Sequence, residues 1–289
     1  MRELAHSALK YYLREFPIRK GKARLLSYLW KPLSFQRYRR STRLRQAPVQ
    51  MECDLTKLLQ RQLYFFGGYE EENCAYWIER AREAQVIFDV GANVGLYSLL
   101  AASANPAAEV HAFEPTPEIF SGFTNNIRLN NLTRITANHA AVGRENGSVF
   151  LQLCTGADGA NEGMNYVDQQ RHSSNDYEVR SVTLDQYCLD HGIERIDLLK
   201  MDIEGGEYNA LMGSERLLRT KAIRCIFLEL IEWAANRSGS STVDIKRHLA
   251  EMGYKMFLKS SSGLQPVGPE GTHNGDNIIA FAEAPEGLR

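Results

Sequence analysis

The fold is decided by one stretch, Val86-Ile87-Phe88-Asp89-Val90-Gly91-Ala92-Asn93-Val94-Gly95, which runs directly into the apolar residues 96–102. The short apolar run predicts a strand, the two glycines predict a tight turn, and the segment after them has the period of a helix. A strand, a tight loop and a helix in this order bring a nucleotide-like ligand against backbone N–H groups at the helix N-terminus. The stretch therefore predicts a site for an adenosine-containing cofactor.

The glycine spacing separates this site from a dinucleotide site. Gly91 and Gly95 are four residues apart, whereas the pyrophosphate-binding turn has the pattern G-x-G-x-x-G. Asp89 would repel a phosphate, so we expect it to meet a cationic ligand, such as the amino group and sulfonium of S-adenosylmethionine. A second strand-like run ends at Glu114, where a carboxylate can accept both hydroxyls of a ribose. The alternative is an ordinary strand–turn–helix unit with a surface acid, but both signals in this order favour a nucleoside cofactor.

Length and composition limit the class of protein. The 289 residues can form one large α/β domain with an extension, and no apolar stretch reaches the roughly 18–20 residues of a membrane span. The first residues lack the features of a signal peptide, and the five cysteines are scattered without a C-x-x-C pair. These features predict reduced thiols in a cytoplasmic protein.

The charge is distributed unevenly along the chain. Residues 1–48 contain thirteen Lys or Arg and two acids, whereas residues 49–289 contain 21 basic and 33 acidic residues. The arm shows two apolar stripes at helical spacing among its basic residues: Ala5, Ala8, Leu9, Tyr12, Leu13 and Phe16, then Leu26, Leu29, Trp30 and Leu33.

Such basic amphipathic helices have three candidate partners. They can pack on their own body or a partner subunit, or lie on the anionic inner face of a membrane as a peripheral contact. Nucleic acid is disfavoured, because the acidic body opposes a polyanion. We predict a basic helical extension over 1–48, a lead-in segment over 49–85 and the main domain over 86–289, and a homo-oligomer is compatible with this plan.

From Val86 onward, apolar runs alternate with helix-period segments, as in a doubly wound parallel sheet with helices on both faces. Predicted helices include 94–104 and 117–130, the second with Thr116 as N-cap and Pro117 at its first position. The predicted strands are 86–90, 109–113, 135–138, 196–201, 223–230, 254–258 and 277–282, with an extra pair at 148–153 and 178–183.

Three polar stretches are expected near the carboxyl ends of the strands, where an acceptor would bind: residues 155–176, 232–242 and 260–276. The first is long enough to be a lid, a binding loop or an unstructured segment.

A second chemical signal follows the predicted strand 196–201. Asp202, Glu204 and Glu207 begin the next segment, and this strand is expected beside 86–90, so its acids face Gly91 across the crevice. They could contact the cationic end of a cofactor or activate a bound hydroxyl. The alternative is an acid-rich helix start that only complements the helix dipole.

Together these segments resemble the FkbM family of S-adenosylmethionine-dependent methyltransferases. The resemblance covers about residues 50–282, and the basic arm lies outside it. Its most specific part is the segment 199–207, while the glycine loop is shared by most class I methyltransferases. The matching segments are 66–70, 89–95, 113–115, 138–143, 182–185, 199–207 and 227–230.

The resemblance implies a class I Rossmann-like fold with seven strands, the last antiparallel, and methylation of a hydroxyl on a sugar, glycan, glycolipid or polyketide-like acceptor. By position, Gly91, Ala92, Asn93 and Gly95 would line the methionine and ribose of S-adenosylmethionine, and Glu114 would hold the ribose hydroxyls. Near the methionine end would lie Asp89 and Asp202, and beside the adenine Ala141 and Val142.

A neutral alcohol is a poor nucleophile, so a positioned base is expected. The candidates are Asp202, Glu204 and Glu229, with three histidines behind them: His139, His172 and His273. A divalent cation on Asp202, Glu204 or Asp276 could replace the base, although nothing in the spacing requires a metal.

Other functions fit less well. A nucleic-acid methyltransferase lacks support, because Asp202-Ile203-Glu204-Gly205 stands where an N-P-P-Y type segment would be. The glycine spacing is wrong for a nicotinamide dehydrogenase. A non-catalytic membrane-surface or assembly protein that retains the fold is the alternative from another class.

Overall fold

The computed structural model describes residues 2–16, 21–33, 39–153, 165–168, 170, 173, 176–260 and 263–283. Its strands are β1 Arg39–Arg43, β2 Gln50–Asp54, β3 Val86–Val90, β4 Glu109–Phe113, β5 Ile135–Asn138, β6 Ala141–Val142, β7 Gly147–Gln152, β8 Tyr166–Asp168, β9 Tyr177–Val182, β10 Leu198–Met201, β11 Cys225–Ile231, β12 Lys255–Ser260, β13 Gly263–Pro266 and β14 Asn274–Phe281. Its helices are α1 Arg2–Glu15, α2 Lys22–Leu33, α3 Leu58–Phe66, α4 Glu71–Ala81, α5 Leu96–Ala104, α6 Pro117–Leu129, α7 Leu184–His191, α8 Glu207–Met212, α9 Glu215–Arg219, α10 Glu232–Arg237 and α11 Thr242–Glu251.

A mixed sheet forms the centre of the protein, with the strand order β13-β12-β14-β11-β10-β3-β4-β5. Strands β3, β4, β5, β10 and β11 are parallel, and β14 runs antiparallel between β11 and β12. The predicted seven strands with the last one antiparallel are confirmed. The edge strand β13 is an addition that forms a hairpin with β12.

The direction of winding reverses between β3 and β10. From β3 the chain moves outward through β4 and β5, then returns to place β10 on the other side of β3. The carboxyl ends of β3 and β10 therefore lie side by side at a topological switch point, where doubly wound sheets bind ligands.

A smaller sheet with the order β6-β9-β7-β8 covers part of this edge. The predicted pair at 148–153 and 178–183 is confirmed as β7 and β9. The stretch 155–176, predicted to be a lid, a binding loop or an unstructured segment, includes the short strand β8 at Tyr166–Asp168, whose Val167 packs on the small apolar cluster of this sheet. His172 and Cys154 lie outside the described residues.

Both faces of the large sheet are covered by apolar side chains, as the doubly wound arrangement predicts. One cluster contains Trp77 of α4, Leu99 of α5 and Phe123 of α6. The other contains Leu211 of α8 and Leu249 of α11. The polar stretch 232–242 follows β11 but includes the helix α10, whose Ala234 and Ala235 are buried.

The basic arm packs on the body of the protein. Leu9, Leu13 and Leu26 are buried in the first of these clusters, so α1 and α2 use their apolar stripes internally. The stripe is narrower than predicted, because Ala8 and Phe16 are exposed. The side chains of Ala5, Trp30 and Leu33 lie outside the described part.

Polar contacts join the arm to the same body. Gln46 Nε2 donates to the backbone oxygen of Glu71 at 3.2 Å, and the Arg45 N–H donates to the backbone oxygen of Gly67 at 2.7 Å. Within the arm, the buried Lys22 ammonium of α2 donates to the backbone oxygen of Leu13 in α1. Strand β1 then pairs with β2, so the suggested boundary between 48 and 49 falls inside one hairpin. In the described part of the chain, no helix has both the length and the apolar character needed to cross a membrane.

Removing the side chain of Leu13 tests the packing of the arm. Leu13 is 2% exposed, so Leu13→Ala should lower the free energy of unfolding by about 2–4 kcal/mol through lost burial and a residual cavity. Leu189→Ala is the matched control, because Leu189 is 59% exposed on α7 and should change stability by less than about 0.5 kcal/mol. Urea denaturation of both variants measures the difference, and equal effects would contradict the docked arm.

Candidate functional site

The site begins where the backbones after β3 and β10 touch. Gly91 has φ +82°, and a Cβ at this position would overlap the backbone oxygen of Asp202. Both the left-handed backbone and the close approach require glycine. The first predicted motif and the segment 199–207 are thereby brought together, as the sequence predicts.

Backbone hydrogen bonds fix the turn that follows. The N–H groups of Gly91 and Ala92 both donate to the backbone oxygen of Phe113, at 3.0 and 2.9 Å. Gly95 has φ +91° and lies so close to the ring of Phe123 that a Cβ would overlap it. The turn therefore enters α5 in one defined conformation.

Glu114 is held with its carboxylate at the wall of the cleft. Its side chain is 5% exposed, and its two oxygens accept hydrogen bonds from the Asn93 N–H at 2.9 Å and the Thr116 N–H at 2.8 Å. Thr116 occupies the predicted N-cap position of α6, but its side chain makes no capping hydrogen bond. Two backbone donors thus orient one carboxylate before any ligand binds.

Glu114 faces a cavity with mostly apolar walls, which we call the apolar cavity. Ala141 and Val142 of β6 form one wall, and Tyr166 and Val167 of β8 form another. Its lining also includes Val90, Gly91, Asn93, Phe113, Pro115, Thr116, Ile119, Ala140, Leu151, Asn165, Asp202, Ile203 and Glu204.

A second cavity of about 220 Å³, which we call the acidic cavity, contains four carboxyl groups and one cation. Gly91, Asn93, Asp202 and Glu204 line both cavities, so the two lie side by side, and we refer to them together as the cleft. The lining of the acidic cavity is completed by Leu58, Leu59, Gln62, Tyr69, Glu70, Ala92, Val94, Leu96, Tyr97, Lys200, Glu229 and Ile231.

The cation of the acidic cavity is Lys200. Its ammonium lies 2.9 Å from Asp202 Oδ2 and 4.5 Å from the ring centre of Tyr97. Burial lowers its pKa, but the carboxylates of Asp202 and Asp89 outweigh burial, so the pKa is raised and the ammonium stays charged. Tyr97 in turn donates to Glu70 Oε2 at 2.7 Å.

Two carboxyl groups of the acidic cavity have strongly raised pKa values. Burial, followed by the charges of Asp202 and Glu207, raises the pKa of Glu204 to about 8. Burial, followed by the charges of Asp202 and Glu70, raises the pKa of Glu229 to about 8. Groups that titrate near neutral pH in a cleft are candidates for proton transfer.

Gly95 lines neither cavity, and the other predicted cofactor-site residue that lines neither is Asp89. Its side chain is 1% exposed and accepts a hydrogen bond of 2.6 Å from Ser98 of α5. The pleat of β3 directs it to the face that α5 covers, and burial raises its pKa. The predicted contact between Asp89 and a cationic ligand is therefore not supported by its position, although its charge acts on Lys200.

Of the three candidate histidines, the two described ones, His139 and His273, line neither cavity. His139 is exposed and stacks on Phe120. The side chain of Asp276 lies outside the described part. Across the described residues, no group of three or more His, Cys, Asp or Glu side chains is arranged to hold a metal ion.

Sequence reasoning assigned no role to several residues of the acidic cavity. Tyr69 and Glu70 come from the turn before α4, in the lead-in segment, and burial raises the pKa of Tyr69 to about 12. The segment 66–70 had been noted only as a supporting match. Lys200 could have been identified from the sequence, because a lysine in an otherwise apolar strand indicates a buried charge with a partner.

The family model of the methyltransferase FkbM domain matches residues 89–256. The chain belongs to this family. The resemblance seen in the sequence is confirmed, and the matched residues contain both the glycine turn and the segment 199–207.

Characterised relatives are distant. The chain is 30% identical over 142 residues to Methyltransferase 1 of Beauveria bassiana, which is 44% of this chain and 57% of that protein. It is 30% identical over 158 residues to 31-O-demethyl-FK506 methyltransferase FkbM of Streptomyces tacrolimicus, 46% of this chain and 61% of that protein. The hexuronic acid methyltransferase AglP of Haloferax volcanii is 23% identical over 182 residues, 63% and 68% of the two chains. The chain thus spans about three fifths of the length of the first two relatives.

Gly91→Ala tests the contact between the two strand ends. The added methyl group would clash with the Asp202 backbone, and φ +82° disfavours alanine, so unfolding should become easier by at least about 2 kcal/mol. Gly122→Ala is the control, because Gly122 lies inside α6 with open space around it. This substitution should raise the free energy of unfolding by up to about 1 kcal/mol. Denaturant unfolding checks both, and an unaffected Gly91→Ala variant would show that the two turns do not touch.

Proposed function

We propose that this methyltransferase transfers the methyl group of S-adenosylmethionine to a hydroxyl of a sugar, glycan, glycolipid or polyketide-like acceptor. The observation that carries the proposal is the Glu114 carboxylate, which two backbone N–H groups hold at the wall of a cavity that lies beside a cluster of acids. The residues present fit this ligand at both ends.

At the nucleoside end, Glu114 would accept the two ribose hydroxyls, because its oxygens can each accept more than one hydrogen bond. Ala141 and Val142 offer a small apolar surface for the adenine. Among the described lining residues of both cavities, Lys200 is the only Lys or Arg, and it is already paired with Asp202. A pyrophosphate would find no free cation there, which supports a nucleoside without phosphates.

At the other end, the acidic cavity suits a positively charged ligand. Asp202 and Glu70 lie at its wall, and Glu204 borders both cavities. When bound, S-adenosylmethionine supplies an activated methyl group on a cationic sulfur. The carboxylates would hold that cationic end near the acceptor, so that the protein contributes proximity and alignment.

The base that takes the hydroxyl proton is proposed to be Glu229. It lies near the carboxyl end of β11, partly buried, and lines only the acidic cavity, whereas Glu204 also borders the apolar cavity and Asp202 is paired with Lys200. Glu204 and Asp202 remain the alternative bases. If Glu229 is the base, these two residues would contact the cationic end of S-adenosylmethionine. Transfer of the proton to Glu229 would give the hydroxyl oxygen the electron pair that bonds the transferred methyl carbon, with neutral S-adenosylhomocysteine as the leaving group.

The acceptor would enter beside the lead-in segment. Leu58, Leu59 and Gln62 of α3 form a wall of the acidic cavity with Tyr69, and Leu58 is 43% exposed. We propose that residues 49–85 serve the acceptor side and residues 86–289 the cofactor side. The names of two relatives, an FK506-type methyltransferase and a hexuronic acid methyltransferase, support a polyketide-like or sugar acceptor.

Glu114→Gln tests the cofactor. The amide keeps the size of the side chain but replaces an ionised acceptor, so the dissociation constant for S-adenosylmethionine should rise roughly 10- to 100-fold. Glu118→Gln, at an exposed position in the first turn of α6, should leave it unchanged. Isothermal titration calorimetry measures both variants. Unaltered affinity in Glu114→Gln, or binding of NADH to the same cleft, would refute the proposal.

The pH dependence of methyl transfer tests the base. With a pKa raised to about 8, Glu229 is protonated at neutral pH and becomes a base only when it loses that proton, so kcat/KM should rise with pH through about 8. Glu229→Gln should lower kcat by at least roughly 100-fold and remove the rising limb. The assay uses labelled S-adenosylmethionine with fractionated host glycans and lipids. A rising limb that persists in Glu229→Gln but disappears in Glu204→Gln would transfer the role to Glu204.

A further inference from the structure

Arg237, the last residue of α10, connects separate parts of the cleft. Its Nη2 group donates a hydrogen bond of 2.7 Å to the backbone oxygen of Glu204. Its guanidinium lies 3.5 Å from the ring centre of Tyr166 and 5.2 Å from that of Trp233. One side chain therefore contacts the turn after β10, a wall residue of the apolar cavity and a partly exposed tryptophan.

The turn after β10 needs such support. Glu204 has φ +55° and Gly205 has φ +101°. A non-glycine residue keeps a left-handed backbone only where its surroundings fix it. Gly205 packs so closely on α10 that a Cβ would overlap the Ala234 backbone oxygen, and Arg237 adds the hydrogen bond to Glu204. Helix α10 is therefore the support of this turn.

Tyr166 needs the same contact for a different reason. It lies on β8, a strand of three residues at the edge of the small sheet, paired with β7. Three residue pairs restrain such an edge strand weakly, so the stacked guanidinium adds a second attachment. A planar guanidinium can lie flat on a ring while its N–H groups donate in the guanidinium plane, a geometry that the compact ammonium of a lysine does not reproduce.

Two atoms beside this contact have no partner. Arg237 Nε and Glu204 Oε2 are buried, and neither has a hydrogen-bond partner among the described residues. Buried polar groups are nearly always paired, so the unpaired Glu204 Oε2 is an acceptor available to a ligand in the cavities that Glu204 lines, whereas Arg237 lies behind them.

We propose that Arg237 is a positioning residue that holds the Glu204 turn and the Tyr166 wall in one arrangement, so that ligand binding in the apolar cavity and the state of the Glu204 carboxyl are coupled. The inference rests on the proposed function, because it takes S-adenosylmethionine as that ligand. It adds a role for α10 that methyl transfer by itself does not require.

The charges around Glu204 give the coupling a measurable sign. Burial, Asp202 and Glu207 raise the pKa of Glu204, whereas Arg237 and Lys200 lower it. Loss of the guanidinium raises this pKa further, so the carboxylate forms at a higher pH. An ionised Glu204 should strengthen the binding of a ligand with a sulfonium charge. It should strengthen the binding of S-adenosylhomocysteine less, because that ligand has lost the sulfonium charge.

The first experiment needs no ligand. Arg237→Met should speed amide hydrogen exchange in residues 202–207 and 165–168 by at least about tenfold, because both segments lose an attachment. Arg247→Met is the matched control, since Arg247 is an exposed arginine on α11 that pairs with Glu270, and its exchange pattern should match the wild type. Equal exchange in the two variants would overturn the inference, whatever the protein binds.

The second experiment reads the charge. Calorimetry in a Glu229→Gln background gives the ratio of the dissociation constants for S-adenosylhomocysteine and S-adenosylmethionine from pH 6 to 10. The ratio should rise with pH as Glu204 ionises, and the pH at half of this rise is the midpoint. In Arg237→Met the midpoint should move up by roughly half a pH unit, since Arg237 no longer favours ionised Glu204. The pKa of Glu207 is raised to about 7, so its ionisation should change the ratio near pH 7 by the same amount in all variants.

Arg237→Lys separates charge from position. It should keep the midpoint of the parent, because the positive charge remains, yet bind both ligands about tenfold more weakly, because an ammonium does not stack on Tyr166. If wild-type protein binds neither ligand, the proposed function fails, and hydrogen exchange still decides the role of Arg237. If the wild type binds and Arg237→Met matches it in affinity and midpoint, only the inference fails.

Discussion

The close contact between two backbones organises this protein. Where β3 and β10 end, Gly91 lies against the backbone oxygen of Asp202 without room for a Cβ. The parallel pairing of the two strands fixes their ends at the same height, and the reversal of winding leaves the edge above them open. Glu114, the carboxyl cluster and both cavities are arranged around that contact.

Electrostatics sets the second constraint. Four carboxyl groups share the acidic cavity with one ammonium, and like charges at such distances cannot all ionise in a buried site. Lys200 stabilises the charge of Asp202, while Glu204 and Glu229 have pKa values raised to about 8. The cleft therefore holds the Lys200–Asp202 ion pair together with two carboxyl groups that lose and regain a proton near pH 8.

Most of the fold, and the position of Glu114 beside the glycine turn, could be predicted from the sequence because their signals are local. Five-residue apolar runs and the spacing of Gly91, Gly95 and Glu114 identify the strands and their order. Strand β8 has only three residues and is held by side chains distant in the chain, so no period reveals it.

The positions of single side chains were harder to predict. The direction of Asp89 depends on which face of β3 the helix α5 covers, a tertiary fact that the acid itself does not encode. The same limit applies to Arg237, whose neighbours Tyr166 and Glu204 come from other elements.

The position of α3 determines which part of the cleft its side chains can change. Leu58, Leu59 and Gln62 are on α3, ahead of the residues that define the family, and none of them contacts the hydrogen bonds around Glu114. Substitutions at these positions can change the shape of the acidic cavity and leave the hydrogen bonds around Glu114 intact. These three positions of a nine-residue helix, none of them fully buried, can therefore be replaced at little cost to the packing beneath them.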